Sequence, residues 1–306
     1  MESFAAQSLL PTELIVCDDA STDDTVGVIR AFANRAPFEF RLEVNEVNLG
    51  YSKNFAKAIG MTSGELILCS DQDDVWHPNK LRMFADKFRS DPQLGLVFCD
   101  ANLVDQDLKP TGSTLWQAKQ FLARARRKVV GTTGAAVILR DPTWFAAGAT
   151  MGFVSKYKSL FLPLAEGWTH DAWIATVVAA VAPVGLIVEP LNDYRQHASQ
   201  VFGGTSGGMG YTMSLAKSRA ASEDHFLATV ERYRQLAERL RGAGMATLDP
   251  NMFRLIEQKI FHWEYRWKMR KVSKLARFSL IGQEFALGRY QAYSQGWKSM
   301  AVDVLY

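Results

Sequence analysis

A chain of 306 residues, 48% of them hydrophobic, is long enough to bury one large core, alone or with a helical annex, and its composition excludes wholesale disorder. A formal charge of +3 is too small to imply nucleic acid, and the three cysteines, Cys17, Cys69 and Cys99, fit neither a disulfide scaffold nor a metal knuckle, which points to a reduced, cytoplasmic setting. No apolar run approaches the roughly 20 residues of a spanning helix and the start, MESFAAQSLLPTE, has no signal core, so the sequence predicts a protein that is soluble or attached to a membrane only at its surface.

Residues 13 to 17, ELIVC, read as a short buried strand, and STDD, residues 21 to 24, supplies a cap before the helical spacing of Val26, Ile29, Phe32 and Ala33. Residues 38 to 44, FEFRLEV, alternate as a strand does, and residues 51 to 62 read as a helix ending near Gly64. ELILC, residues 65 to 69, is a third strand, a helix runs from after Pro78 to about Phe88, and LGLVFC, residues 94 to 99, is another strand. Strands and helices alternating at this spacing predict an α/β fold with a mostly parallel central sheet covered on both sides. Farther on, GTTGAAVILR, residues 131 to 140, is a Gly-rich turn entering a strand, 169 to 182 a helix, 184 to 188 a strand, and LNDYRQH, 191 to 197, an extended segment. GGTSGGMG, residues 203 to 210, reads as a joint between a first domain, 1–202, and a helical region, 211–306, with helices over roughly 215 to 243 and 251 to 276.

Three strands end alike, in Cys17-Asp18, Cys69-Ser70-Asp71 and Cys99-Asp100. Open parallel sheets bind ligands beyond the carboxyl ends of their strands, so these acids stand where a ligand belongs, although polar residues also end strands for turn reasons. Asp71, Asp73 and Asp74 crowd into four residues, and like charges this close repel unless a cation or a ring of donors compensates. Two carboxylates two residues apart in a tight turn can reach one divalent ion, and oxygen donors suit Mg²⁺ or Mn²⁺. Asp171 opens an apolar helix, where the helix dipole favours negative charge and where a plain capping role is the competing reading.

These pieces resemble family 2 glycosyltransferases, inverting enzymes of the GT-A fold, and in particular a bacterial, rhamnosyltransferase-like branch. Asp18-Asp19-Ala20-Ser21-Thr22-Asp23 is similar to the family's DDxSxD stretch, and Asn48-Leu49-Gly50 through Asn54, Ala58 and Gly64-Glu65 to its NxGxxxNxxxAxxxxxGE segment. Asp71-Gln72-Asp73-Asp74 with Trp76, Pro78 and Lys80-Leu81 resembles the DxD region, His170-Asp171-Ala172-Trp173 the later acidic motif, and Tyr194-Arg195-Gln196-His197 the YRxH segment. The resemblance covers about residues 5 to 200 and implies a metal-dependent inverting transferase. It would move rhamnose or a hexose from a dTDP- or UDP-linked donor to a saccharide or lipid-linked saccharide during surface polysaccharide synthesis. It implies that Asp71 and Asp73 hold Mg²⁺ or Mn²⁺, Asp73 as the direct ligand, with His197 approaching the ion or the diphosphate. Asp18 and Lys53 would place the nucleotide, Arg195 would neutralise the leaving diphosphate, and Asp171 would be the base that deprotonates the acceptor. Trp76, Thr133, Gly134, His170 and Trp173 would border the acceptor, with core or turn roles as the alternative for the tryptophans and for Thr133-Gly134.

Relatives begin with an apolar strand that has no counterpart here, so the resemblance also implies a GT-A sheet lacking its first strand, from a misplaced start or a true truncation. A nucleotidyltransferase, or an inactive homologue serving as a binding protein, is the competing reading. Near the C-terminus, eight Lys or Arg between Phe261 and Met300 interleave with Trp263, Trp267, Phe278, Phe285, Tyr290 and Trp297 against Glu264 and Glu284. That mixture suits an anionic membrane surface, or the solvated basic face of ordinary packed helices; no recognised module points to nucleic acid.

Overall fold

The computed structural model describes residues 1–121, 123–129, 147–196, 223–243 and 250–305. Strands β1 (Glu13–Asp18), β2 (Glu39–Val44), β3 (Leu66–Leu68) and β4 (Val75–Trp76) alternate with helices α2 (Thr25–Ala33), α3 (Tyr51–Met61) and α4 (Lys80–Ser90), after a short α1 (Glu2–Ala5). Then come β5 (Leu96–Val104), β6 (Pro110–Thr114), α5 (Leu115–Ala118), α6 (Ala123–Val129), β7 (Met151–Val154), α7 (Lys158–Phe161), α8 (His170–Ala179) and β8 (Val184–Arg195). Helices α9 (Glu223–Gly242), α10 (Pro250–Met269), α11 (Lys274–Ala286), α12 (Arg289–Tyr293) and α13 (Trp297–Leu305) follow.

The expected α/β architecture is present, with a more mixed sheet than strand–helix alternation suggests. The main sheet runs β3-β7-β5-β8-β4, with β6 beside β5. Strand β7 is antiparallel to both β3 and β5, and β8 is parallel to β5. So β3, β5 and β8 share one direction, while β4, β6 and β7 oppose it. Strands β1 and β2 form a separate parallel pair. Among the described residues no strand joins β1 to β3. Strand β1, apolar enough to read as buried, is consequently only half-buried along Glu13 to Cys17. Glu13 ties it to the turn before β3, its Oε1 accepting the Ser63 and Gly64 N–H groups at 2.6 and 2.8 Å.

The core lies between the main sheet and α8. Helix α8 is apolar on every side, and that explains its place: Trp173, Ile174, Val177 and Val178 are all inaccessible to solvent, packed with Leu96, Phe98, Met151 and Phe153 of the sheet. Thr169 caps it, its hydroxyl accepting the Ala172 N–H. Leu236 and Leu240 of α9 and Ile256 of α10 belong to the same core. Helix α4 buries Phe84 and Phe88, four residues apart, on the other face.

Two further differences from the sequence reading have local causes. The strand expected to end at Cys99 continues to Val104, because β8 pairs with it along its whole length through two register shifts. The single helix expected over 251 to 276 is two, since Ser273 caps a new helix by accepting the Ala276 N–H. The strand expected after GTTG, the 203 to 210 joint and the start of the helix expected from 215 lie outside the described residues. Among the described residues no helix is long and apolar enough to cross a membrane.

Candidate functional site

The acidic turn Asp71 to Asp74 is fixed by the elements on either side. It follows β3, and immediately after it β4 pairs with the far end of β8, Val75 opposite Asp193 and Trp76 opposite Asn192. His77 Nε2 and Asn102 Nδ2 both bond Asp193 Oδ1, at 2.9 and 3.0 Å, which locks that corner. The turn therefore stands at the carboxyl ends of β3 and β8.

Below it lies a buried polar cluster. Lys80, the first residue of α4, is fully buried; its Nζ donates to the Ala149 carbonyl at 2.6 Å and to Asn192 Oδ1 at 3.4 Å, and sits 4.2 Å from the centre of the Trp76 ring. Asn192, also fully buried, donates from Nδ2 to Asp74 Oδ2 at 3.5 Å, and the Arg195 N–H reaches Asp74 Oδ1 at 3.4 Å. Burial pushes Asp74 up and Lys80 down, each partly answered by the other's charge.

Asp71 senses the same cluster from the front. Burial raises it to about 6, the charges of Asp73 and Asp171 add to the rise, and Lys80 opposes it. The Tyr194 phenol is raised by burial and then by Asp71, Asp74, Asp73 and Asp171. The charges of four carboxylates drawn from two distant stretches of chain thus act on one tyrosine. Asp171 sits in the first turn of α8, its Oδ1 accepting the Thr169 hydroxyl and, at 2.7 Å, the Ala172 N–H.

The expected site residues divide clearly. Asp71, Asp73 and Asp171 come together. Asp18 is buried at the end of β1 and bonds within its own turn, Oδ2 accepting the Ser21 N–H at 2.9 Å, while Lys53 stands exposed on α3. Arg195 closes β8 beside the turn, half-buried. Thr133, Gly134 and His197 lie outside the described residues. Among the described residues no group of three or more His, Cys, Asp or Glu has metal-holding geometry.

Two tryptophans are corrected. Trp173 has no accessible surface and its indole N–H donates to the Phe161 carbonyl at 2.8 Å, so it anchors the core instead of bordering an acceptor. Trp76 is 6% exposed, edge-on to Phe4 at 4.7 Å and under Lys80, which makes it a floor beneath the acidic turn. Asp100, grouped by sequence with the strand-end acids, lies inside β5 and accepts the Trp116 N–H at 3.0 Å, a turn-holding role.

His170 is buried and stacks on Phe55 with ring centres 4.0 Å apart and planes 11° apart. Burial lowers it, Asp171 opposes the shift, and neither ring nitrogen has a hydrogen-bond partner. Gly148 allows this placement, since a Cβ there would come within 2.6 Å of His170 Nε2. Gly148→Ala is expected to cost about 1–3 kcal/mol of stability by overpacking this layer. Urea denaturation checks it, and an unchanged midpoint would show that the ring moves freely.

Lys80, Asn192 and Tyr194 are the members that motif reading passed over as site residues. Lys80, six residues after Asp74, has the sequence signature of any surface lysine at a helix start, and Asn192 carries no signal at all.

Residues 1–145 match the family model described as glycosyl transferase family 2. An uncharacterized glycosyltransferase of Nostoc sp. strain PCC 7120 is 22% identical over 96% of this chain and 86% of its own length. An uncharacterized protein of Mycobacterium tuberculosis strain H37Rv is 32% identical over 35% of this chain, which spans about a third of that relative (32%). Among solved structures, S. aureus TarS 1-349 in complex with UDP-GlcNAc shares the fold, with a TM-score of 0.55 at 15% identity over 99% of this chain and 83% of that one. Residues 1–145, which include the acidic turn, are thus a glycosyl transferase family 2 domain.

Proposed function

We propose that this chain transfers a sugar, rhamnose or a hexose, from a dTDP- or UDP-linked donor to a saccharide or lipid-linked saccharide acceptor with inversion, in the assembly of a surface polysaccharide. The observation that carries the reading is the convergence of Asp71, Asp73 and Asp171 around Tyr194 at the carboxyl ends of β3 and β8. Asp18, Lys53 and Arg195 are assigned to the donor, and Asp171 to the acceptor hydroxyl. Both hydrogen bonds to Asp171 go to Oδ1, so Oδ2 is the oxygen assigned to take the proton.

The donor set fits a divalent cation. Burial and the neighbouring carboxylates already hold Asp71 at about 6, so the ionised turn lacks positive charge, and hard oxygen ligands suit Mg²⁺ or Mn²⁺. Asp73 and Asp71, with His197, are the residues assigned to hold it. When bound, the ion supplies charge neutralisation for the diphosphate leaving group.

Calorimetric titration with UDP and dTDP, with and without Mn²⁺, tests the donor site. Saturable binding that requires the metal is expected, and turnover should release nucleoside diphosphate; release of pyrophosphate from a nucleoside triphosphate would overturn the reading. A pH experiment tests the turn separately. Asp71 rises from 3.8 to about 6 on folding, so the folded chain binds more protons across that window and loses stability as pH rises through it. Mn²⁺ is therefore expected to raise Tm more at about pH 7.5 than at about pH 5. Equal shifts at the two pH values would exclude Asp71 from the cation site.

A further inference from the structure

Helices α11 to α13 keep their acids inside and their lysines outside. Between residues 265 and 305 the carboxylates are Glu284 and Asp303, exposed by 1% and not at all. Glu284 is held by His262 Nδ1 and Arg289 Nη1, each at 2.7 Å. Asp303 accepts from Arg266 Nε and Nη2 at 2.6 and 3.0 Å and from the Tyr290 hydroxyl at 2.7 Å, with Arg270 at 3.6 Å. These partners consume the acids and the arginines together. The charges left exposed on this stretch are Lys268, Lys271, Lys274 and Lys298, all of one sign.

Helix α11 shows the second half of the pattern. It buries Arg277, Ile281 and Glu284 on one face. The solvent side carries Leu275, Phe278, Gly282, Phe285 and Ala286 together with the uncharged Ser279 and Gln283, and beyond Lys274 it bears no charge, since Arg277 and Glu284 are on the buried face. Leu275 is 86% exposed and Phe278 54%, and Leu287, just beyond the helix, is 63% exposed. A solvent-facing helix side normally carries charged residues, so a charge-free outer face dominated by exposed Leu and Phe and bordered by lysines is a docking surface.

We propose that α11 lies on an anionic lipid surface, with Leu275, Phe278 and Phe285 in the acyl boundary and Lys271 and Lys274 at the headgroup phosphates. The uniform positive border calls for an anionic occupant, the exposed Leu and Phe between the lysines call for an apolar layer beneath that charge, and a second copy of this face is disfavoured because it exposes no acids to meet the lysines. Attachment here is peripheral and independent of the transfer chemistry.

Flotation of the full chain with phosphatidylcholine vesicles, with and without about 30% phosphatidylglycerol, tests it. Binding to the anionic vesicles alone is expected. Leu275→Ser combined with Phe278→Ser should weaken it at least about tenfold through lost burial, and Lys271→Glu combined with Lys274→Glu by about 30-fold or more. All four side chains point to solvent, so an unchanged melting curve should accompany the loss. Equal binding to neutral vesicles, no binding to either, or full binding by the variants would overturn the proposal. So would a wild-type dimer in sedimentation that the Leu275 and Phe278 changes dissociate, which would give the face to a second copy.

Discussion

Asp171→Asn is expected to lower kcat by about 10²- to 10⁴-fold while leaving metal-dependent nucleotide affinity within about twofold. The change keeps shape and leaves a side-chain oxygen for the Thr169 hydroxyl and the Ala172 N–H, so α8 should still start in place. What it removes is an oxygen able to take a proton, and one of the carboxylate charges acting on Asp71. Asp73→Asn is expected to do the reverse, weakening nucleotide binding in Mn²⁺ and abolishing its metal dependence. Calorimetry on both variants beside initial-rate kinetics separates the roles. If both lose nucleotide binding equally, the two carboxylates act as one site and the assignment of Asp171 to the acceptor fails.

Much of this arrangement is legible in the sequence because it is local. Asp71 and Asp73 follow a short apolar strand, and Asp171 opens an apolar helix, so position along the chain predicts which end of the sheet they reach. Burial is harder to read, because it depends on neighbours far away in sequence. Strand β1 has the composition of a core strand, yet among the described residues its strand partner is β2 alone and it remains half-buried. Trp173 lies two residues from Asp171 in the motif, and two residues along a helix are about 200° around it, enough to turn the indole into the core while Asp171 faces the turn. Asp100 ends LGLVFCD as convincingly as Asp71 ends ELILCSD; only the length of β8, read across the sheet, extends β5 past it. Lys80 is the largest omission. A lysine at the start of a helix reads as a surface residue, and only assembly brings Ala149, Asn192 and Trp76 around it.

That lysine makes the second strong prediction: Lys80→Met is expected to destabilise the chain by about 3–5 kcal/mol, the cost of leaving buried charges without their counter-charge. Lys80 is the cation whose field opposes the rise of both Asp71 and Asp74, and Met fills a similar volume, so the loss reports electrostatics more than packing. The pH dependence has a defined sign. Without Lys80 both acids are pushed further above their unfolded values, so the variant binds still more protons when folded, and its stability falls as pH rises over a wider window than in the parent. Its deficit should therefore be small near about pH 4, where the acids are protonated in folded parent and folded variant alike, and full by about pH 8. Adding Asp74→Asn to Lys80→Met should recover part of the loss, since the two groups share one cluster and their effects cannot be additive. Urea denaturation of the single and double variants at both pH values measures all three claims. A deficit under about 1 kcal/mol that does not change with pH would mean the carboxylates draw their compensation from elsewhere, and Lys80 would then be a packing residue beneath Trp76.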